Sequence, residues 1–165
     1  MNHKLLKWEE CSFHVFDNVY EPDEDTFLLA ENLDIRSGDA VLDMGTGCGI
    51  LAILSALKAK IVVAIDVNPH AVKCTMLNGR VNGVSENIDV VRGSLFEPIK
   101  EDETFDQILF NAPYLPVEEN EQTDWIDYAW AGGNRGRTII DSFISSAPRY
   151  LNKDGRILLV QSTLS

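Results

Sequence analysis

Short runs of β-branched and apolar residues recur along the chain, at positions 40–44, 60–66, 88–92, 105–111 and 156–161. Runs of this length with little polar alternation suit strands buried on both faces, as in a parallel sheet covered by helices. Helical patterns fill most of the intervals. Asn68-Pro69 reads as an N-cap followed by proline at the first helical position, opening a helix over 69–78 that turns Ala71, Val72 and Met76 inward. Another helix opens within 20–29, where Asp23, Glu24 and Asp25 place negative charge in the first turn, the end the helix dipole favours. Asn82-Gly83 and Asp154-Gly155 mark turns. The expected fold is α/β, with a doubly wound, mostly parallel sheet.

The segment 112–136 shows no clear pattern. A connection that long is uncommon in a compact domain unless it has a function. It also begins just after a strand's C-terminal end, where open α/β sheets place their ligands.

The chain has 165 residues, 45% of them hydrophobic, with neither repeats nor low-complexity tracts, so a single domain over 1–165 is expected. No apolar stretch nears the ~20 residues that span a bilayer, and the start, MNHKLLKWEE, lacks a signal peptide's apolar run, so a cytoplasmic protein without a membrane partner is expected. Cys11, Cys48 and Cys74, like His3, His14 and His70, are too scattered for metal-ligand spacing, and no metal is expected. A net charge of −12 would repel a phosphate backbone, which makes nucleic acid a poor direct substrate.

Three segments carry candidate chemistry. In Asp43-Met44-Gly45-Thr46-Gly47-Cys48-Gly49 a glycine turn links a strand to a helix, and without Cβ atoms its backbone can approach a ligand closely. The spacing is GxGxG, not the GxGxxG that seats a pyrophosphate, and Asp43 would repel phosphate. A cationic ligand suits the carboxylate better, and S-adenosylmethionine carries both a sulfonium and an ammonium. Asp66 ends the next strand about 20 residues on, where a carboxylate can accept from both ribose hydroxyls. Asn111-Ala112-Pro113-Tyr114 then places an amide, backbone carbonyls and an aromatic ring at the mouth of that site. Such a set suits a planar nitrogen acceptor. The Asn111 side-chain carbonyl and the Ala112 carbonyl each accept from an NH2 group while Tyr114 stacks on its plane. The stretch 118–130 mixes Glu119, Glu121, Asp124 and Asp127 with Trp125, Tyr128 and Trp130, and reads either as a lid or peptide-binding rim or as a solvated acidic loop anchored by its aromatics.

These segments together resemble the HemK-like protein-glutamine N5-methyltransferases, in particular a small archaeal and eukaryotic branch without an N-terminal domain. The resemblance rests on Tyr20-Glu21-Pro22 with Glu24-Asp25-Thr26, the glycine turn, Asn111-Ala112-Pro113-Tyr114, and Ala129-Trp130-Ala131-Gly132-Gly133 followed by Gly136-Arg137. It implies cofactor contacts from Thr26, Asp43, Gly45, Asp66, Ser94, Leu95 and Asn111, with Gly47 in the same turn, and an N-terminal segment, 1–35, that contributes to the cofactor site. It implies Asn111, Ala112, Pro113 and Tyr114 as the acceptor clamp, the Gly-Gly-Gln motif of a translation release factor as substrate, and a small zinc-binding activator subunit as partner. Ala112 stands where the family usually has proline, and Ser94 where it often has aspartate. The clamp alone also admits an adenine or guanine amino group or a lysine, and an inactive cofactor-binding module is the reading from outside enzymology. The family continues past the fifth strand into a helix and an antiparallel hairpin, so the sheet is expected to be truncated there. Its last run, Ile157-Leu158-Leu159-Val160, reads as a strand buried on both faces.

The two carboxylates around the glycine turn predict binding of S-adenosylmethionine or its demethylated product, no response to NAD, and weakened binding in Asp66→Ala. Titration calorimetry with the three ligands checks this.

Overall fold

The computed structural model describes residues 3–117 and 124–162. An antiparallel hairpin of β1 (His3–Trp8) and β2 (Cys11–Phe16) leads into α1 (Glu24–Glu31), whose N-cap, Asp23, accepts from the Glu24 N–H. There follow β3 (Ala40–Met44), α2 (Ile50–Ala56), β4 (Ile61–Asp66), α3 (Pro69–Val81), β5 (Ile88–Arg92), β6 (Phe105–Asn111), α4 (Thr138–Ser146) and β7 (Leu151–Val160). The last five strands form one parallel sheet in the order β5-β4-β3-β6-β7. Because β3 lies in the middle, its C-terminal end meets those of β4 and β6 at one edge, the place where doubly wound sheets gather ligands.

Side chains alternate across this sheet, and both faces are covered. Val41, Val62, Ala64 and Leu109 pack with α1, α2, α3 and the inward residues of β2, Cys11, Phe13 and Val15. Leu42, Met44, Ile65, Ile108 and Phe110 pack on the other face with Ile140 and Phe143 of α4, Phe96 and Tyr150. Phe96 stacks on Tyr150 at 4.5 Å between ring centroids, the offset arrangement that aromatic rings prefer.

The structure departs from the sequence pattern at four places. The hairpin has no counterpart in the apolar runs of the sequence. Helix α3 runs to Val81 and buries Ala71, Cys74, Thr75, Asn78 and Gly79, one stripe at i, i+3, i+4, so that Met76 falls outside the stripe and is 44% exposed. The connection after β6 is ordered where it is described, with a 3-10 helix over Trp125–Ala129 and a bridge between Leu115 and Ala131. Strand β7 lies at the sheet edge and is half-buried, not buried on both faces. Its pairing jumps from Phe105–Leu151 to Gln107–Arg156, because Asp154 takes a left-handed φ of 68° and Asn152–Gly155 loops out of the ladder.

One buried side chain joins hairpin, helix and glycine turn. Asn78 Nδ2 donates to the His14 carbonyl at 2.7 Å and the Cys48 carbonyl at 2.8 Å, while its Oδ1 accepts from the His14 N–H at 2.7 Å. Asn78→Ala would strand these buried groups without partners. We expect a loss of about 3 kcal/mol, from 1–3 kcal/mol per buried group left unpaired, measurable by denaturant unfolding.

Candidate active site

The turn after β3 is built on glycines because three of its positions need positive φ: Gly45 at 66°, Gly47 at 59° and Gly49 at 87°. At Gly49 a Cβ would also come within 2.8 Å of the Thr75 methyl, so α3 can pack this closely only against a residue with no side chain. Neighbouring strands hold the turn in place. The Thr46 N–H donates to the Ile65 carbonyl at 2.9 Å, and the Gly47 N–H donates to Asp66 Oδ2 at 2.8 Å. Asp66 Oδ1 accepts from the Asn68 N–H at 2.9 Å, and the Asn68 amide donates to the Asn18 carbonyl at 2.7 Å, tying in the loop after β2.

Above this turn opens a cavity of about 420 Å³, well inside the size range of small-ligand sites. Thr26, Gly45, Gly47, Asp66, Ser94, Leu95, Asn111, Ala112, Pro113 and Tyr114 all face it, so separate motifs converge on one space. Leu95 does so with a left-handed φ of 46°, a strained conformation for leucine. Asp43 is the exception. The alternation of β3 turns its side chain beneath the glycine turn, where it is 1% exposed and away from the cavity wall.

Burial governs both carboxyls. It pushes Asp43 up to about 7, opposed weakly by the Thr46 hydroxyl and the Ala52 N–H, which face it without closing into hydrogen bonds; the Asp66 charge raises it further. Asp66 is also raised by burial, against the pull of its backbone donors. A buried carboxyl and a half-buried one, with no basic side chain bonded to either among the described residues, fit a site completed by a positively charged ligand. Asn111 Oδ1 and Thr46 Oγ1 are likewise buried with no hydrogen-bond partner, and both residues line the cavity.

At the mouth, the segment before α1 meets the one after β6. Asn111 Nδ2 donates to Thr26 Oγ1 at 3.0 Å. Asp25 accepts from the Thr26 N–H at 2.6 Å, from the Thr26 and Tyr20 hydroxyls at 3.3 Å each, and from the Tyr114 hydroxyl at 3.4 Å. Burial followed by the Asp25 charge raises both phenols, so they stay neutral donors. From the sequence Asp25 reads as first-turn charge on a helix and as part of the Glu24-Asp25-Thr26 motif, and nothing local marks it as the centre of this cluster. Of the expected lid or rim, Glu119 and Glu121 fall outside the described residues. Trp125, Tyr128 and Trp130 line the cavity, and the Arg92 guanidinium sits 5.6 Å from the centre of the Trp125 ring, within cation–π range. Leu115 donates to the Trp130 carbonyl at 2.9 Å and accepts from Gly132 at 2.9 Å, which fastens this segment to the one following Tyr114. Among the described residues no group of three or more His, Cys, Asp or Glu could hold a metal ion, and no helix is long and apolar enough to cross a membrane.

Comparison with known proteins adds what geometry alone does not. The family model for ribosomal protein L11 methyltransferase matches residues 26–116. The Methanocaldococcus jannaschii protein MJ0928, which carries the name of a protein N5-glutamine methyltransferase, is 42% identical over 98% of this chain and 81% of its own length. A release factor glutamine methyltransferase from Geobacter sulfurreducens is 32% identical over 89% of this chain, which spans about half, 54%, of that protein. Among solved structures, a Thermus thermophilus 16S rRNA N2 G1207 methyltransferase in complex with AdoMet and guanosine shares the fold, with a TM-score of 0.75 at 20% identity. That match covers 99% of this chain and 42% of the solved one.

The raised Asp43 carboxyl carries a pH signature. Folding lifts it from 3.8 to about 7, so the folded state holds this proton more tightly than the unfolded state. The stability it contributes is complete below pH 3.8 and is lost as pH rises through about 7. Asp43→Asn, similar in shape and uncharged, should therefore gain stability relative to the parent as pH rises through that window. Denaturant midpoints of both proteins, taken without ligand on either side of it, check the sign.

Proposed function

The chain belongs to the S-adenosylmethionine-dependent protein N5-glutamine methyltransferases, and from that membership we propose that it methylates the side-chain nitrogen of a glutamine in a translation release factor. The observation that carries the acceptor chemistry is Asn111 Oδ1, a buried amide oxygen without a hydrogen-bond partner on a residue that lines the cavity. An oxygen so placed asks for an N–H donor, which a glutamine amide supplies. Relatives that bear the names of protein and release factor glutamine methyltransferases support the substrate class. The net charge of −12 favours protein over nucleic acid.

In this reading Asp66 holds the ribose hydroxyls with the lone pairs its backbone donors leave free, Ser94 and Leu95 face the adenine, and the glycine turn lets the chain approach closely. Thr26 belongs to the same wall, and Asp43 acts from beneath the turn through its charge. When bound, S-adenosylmethionine supplies an electrophilic methyl group on a cationic sulfur. The protein supplies position. An amide nitrogen is a poor nucleophile because its lone pair is delocalised, so orientation and differential bonding carry the catalysis. Asn111 Oδ1 accepts one N–H of the acceptor and the Ala112 carbonyl the other, and both bonds strengthen as that nitrogen becomes positive. Tyr114 supports the amide plane. The nitrogen then loses one of these protons to solvent, and no basic side chain is required. The working enzyme would act in the cytoplasm, with a small zinc-binding activator subunit as partner, as the resemblance implies, and the whole chain serves as one catalytic domain with residues 1–35 contributing to the site.

The test is methyl transfer to a release factor bearing Gly-Gly-Gln, compared with RNA and DNA. Label on the glutamine N5 is expected, and label on nucleic acid with none on the protein would overturn the reading. Asn111→Ala should keep its fold and lose about 100-fold in turnover, from the orienting bond it removes. A folded variant within about tenfold of the parent, ~1.4 kcal/mol, would rule out the clamp.

A further inference from the structure

The orientation of the Asn111 amide decides what the clamp can bind, and that orientation is set by residues far away in sequence. A threonine hydroxyl has one proton to give. Thr26 gives it to Asp25 Oδ1, at 3.3 Å, so toward Asn111 the Thr26 oxygen can only accept. The Asn111 atom 3.0 Å from it is therefore the NH2 nitrogen, and the carbonyl oxygen is the amide atom turned away from Thr26, buried and unpartnered on a residue that lines the cavity. With the amide turned over, two oxygens would face each other across that distance, while the cavity would present an N–H donor.

We propose that Asp25 is a positioning residue for acceptor selection. Through the Thr26 hydroxyl it holds the Asn111 amide with its carbonyl toward the substrate, so that the site takes an N–H-bearing nitrogen and disfavours groups that present only a lone pair. The carboxylate is itself fixed by three further donors: the Thr26 N–H at 2.6 Å, the Tyr20 hydroxyl at 3.3 Å and the Tyr114 hydroxyl at 3.4 Å. These come from the segment before α1, from α1 itself and from the segment after β6, so one carboxylate joins both walls of the mouth. Both phenols stay protonated as donors, which keeps the relay running in one direction.

This inference rests on the reading of Asn111 as acceptor clamp, and two measurements separate the two. The first is hydrogen exchange of the Asn111 side-chain NH2 by NMR in 15N-labelled protein, with the signal identified by its absence from Asn111→Asp. The relay predicts exchange at least about tenfold faster in Thr26→Val than in the parent, from the loss of one sheltering bond, and near-parental exchange in Thr26→Ser, which keeps the hydroxyl. Equal exchange in the parent and Thr26→Val would overturn the relay whatever the enzyme methylates. The second is turnover on a Gly-Gly-Gln peptide. Asp25→Asn should lose about tenfold in kcat with the KM for S-adenosylmethionine within about threefold, Thr26→Val should also lose about tenfold in kcat, and Thr26→Ser should restore it. Parental kcat in both Asp25→Asn and Thr26→Val would overturn the role in selection, and using two variants guards against either one failing to fold. A parent that exchanges as expected yet transfers no methyl to glutamine would sink the glutamine reading and leave the relay standing.

Discussion

The bond from the Gly47 N–H to the Asp66 carboxylate, at 2.8 Å, ties the glycine turn after β3 to the end of β4, and the glycine-turn side of the cavity is organised around it. Parallel pairing brings the two strand ends to one edge, but it does not fix the loops that leave them. The carboxylate does, by accepting from the turn on one oxygen and from Asn68 on the other. The Thr75 hydroxyl donates to the Gly47 carbonyl at 3.1 Å, so α3 is locked to the same turn from the opposite side. Asn78, one turn further along α3, carries the constraint out to the hairpin. The loop after the hairpin thus comes to wall a cavity that is also lined by the ends of β3, β4 and β6.

That arrangement has a cost. Asp43 is a buried carboxyl with neither oxygen hydrogen-bonded, and Asp66 is half-buried. Burying an unpaired polar group disfavours the folded state. Proteins accept such local penalties where function requires them, and a site awaiting a cation is one such place. The strained φ at Leu95, on the same wall, is of the same kind. At the other end of the cavity the polar groups are well satisfied. Asp25 gathers its donors and leaves one oxygen, Asn111 Oδ1, without a partner.

Much of this was legible in the sequence. The five sheet strands announce themselves as apolar runs, the Asn68-Pro69 cap opens α3 where expected, and the convergence of Thr26, the glycine turn, Asp66 and Asn111 follows from strand ends sharing an edge. The hairpin was hidden because β1 reads Lys-Leu-Leu-Lys with little alternation, and its turn is Glu9-Glu10, with Glu9 at a φ of 51°, in place of the Asn-Gly or Asp-Gly pair that marks such turns. The motif does not show that strand alternation leaves Asp43 1% exposed and out of the cavity lining. The role of Asp25 was invisible because its partner Tyr114 lies 89 residues away, and the pairing exists only once β6 stands beside β3. Local pattern encodes elements and their ends; side-chain relays between distant loops are set by the fold.

The central claim is that the cavity presents a fixed carbonyl, Asn111 Oδ1, to an N–H-bearing acceptor beside the cofactor. A crystal structure of the protein with S-adenosylhomocysteine and a Gly-Gly-Gln peptide tests it most directly. The account predicts the glutamine side-chain nitrogen within hydrogen-bonding distance of both Asn111 Oδ1 and the Ala112 carbonyl, with Asn111 Nδ2 still donating to Thr26. A glutamine bound through its own carbonyl to a turned-over Asn111 amide, or a peptide seated away from this cavity, would contradict it.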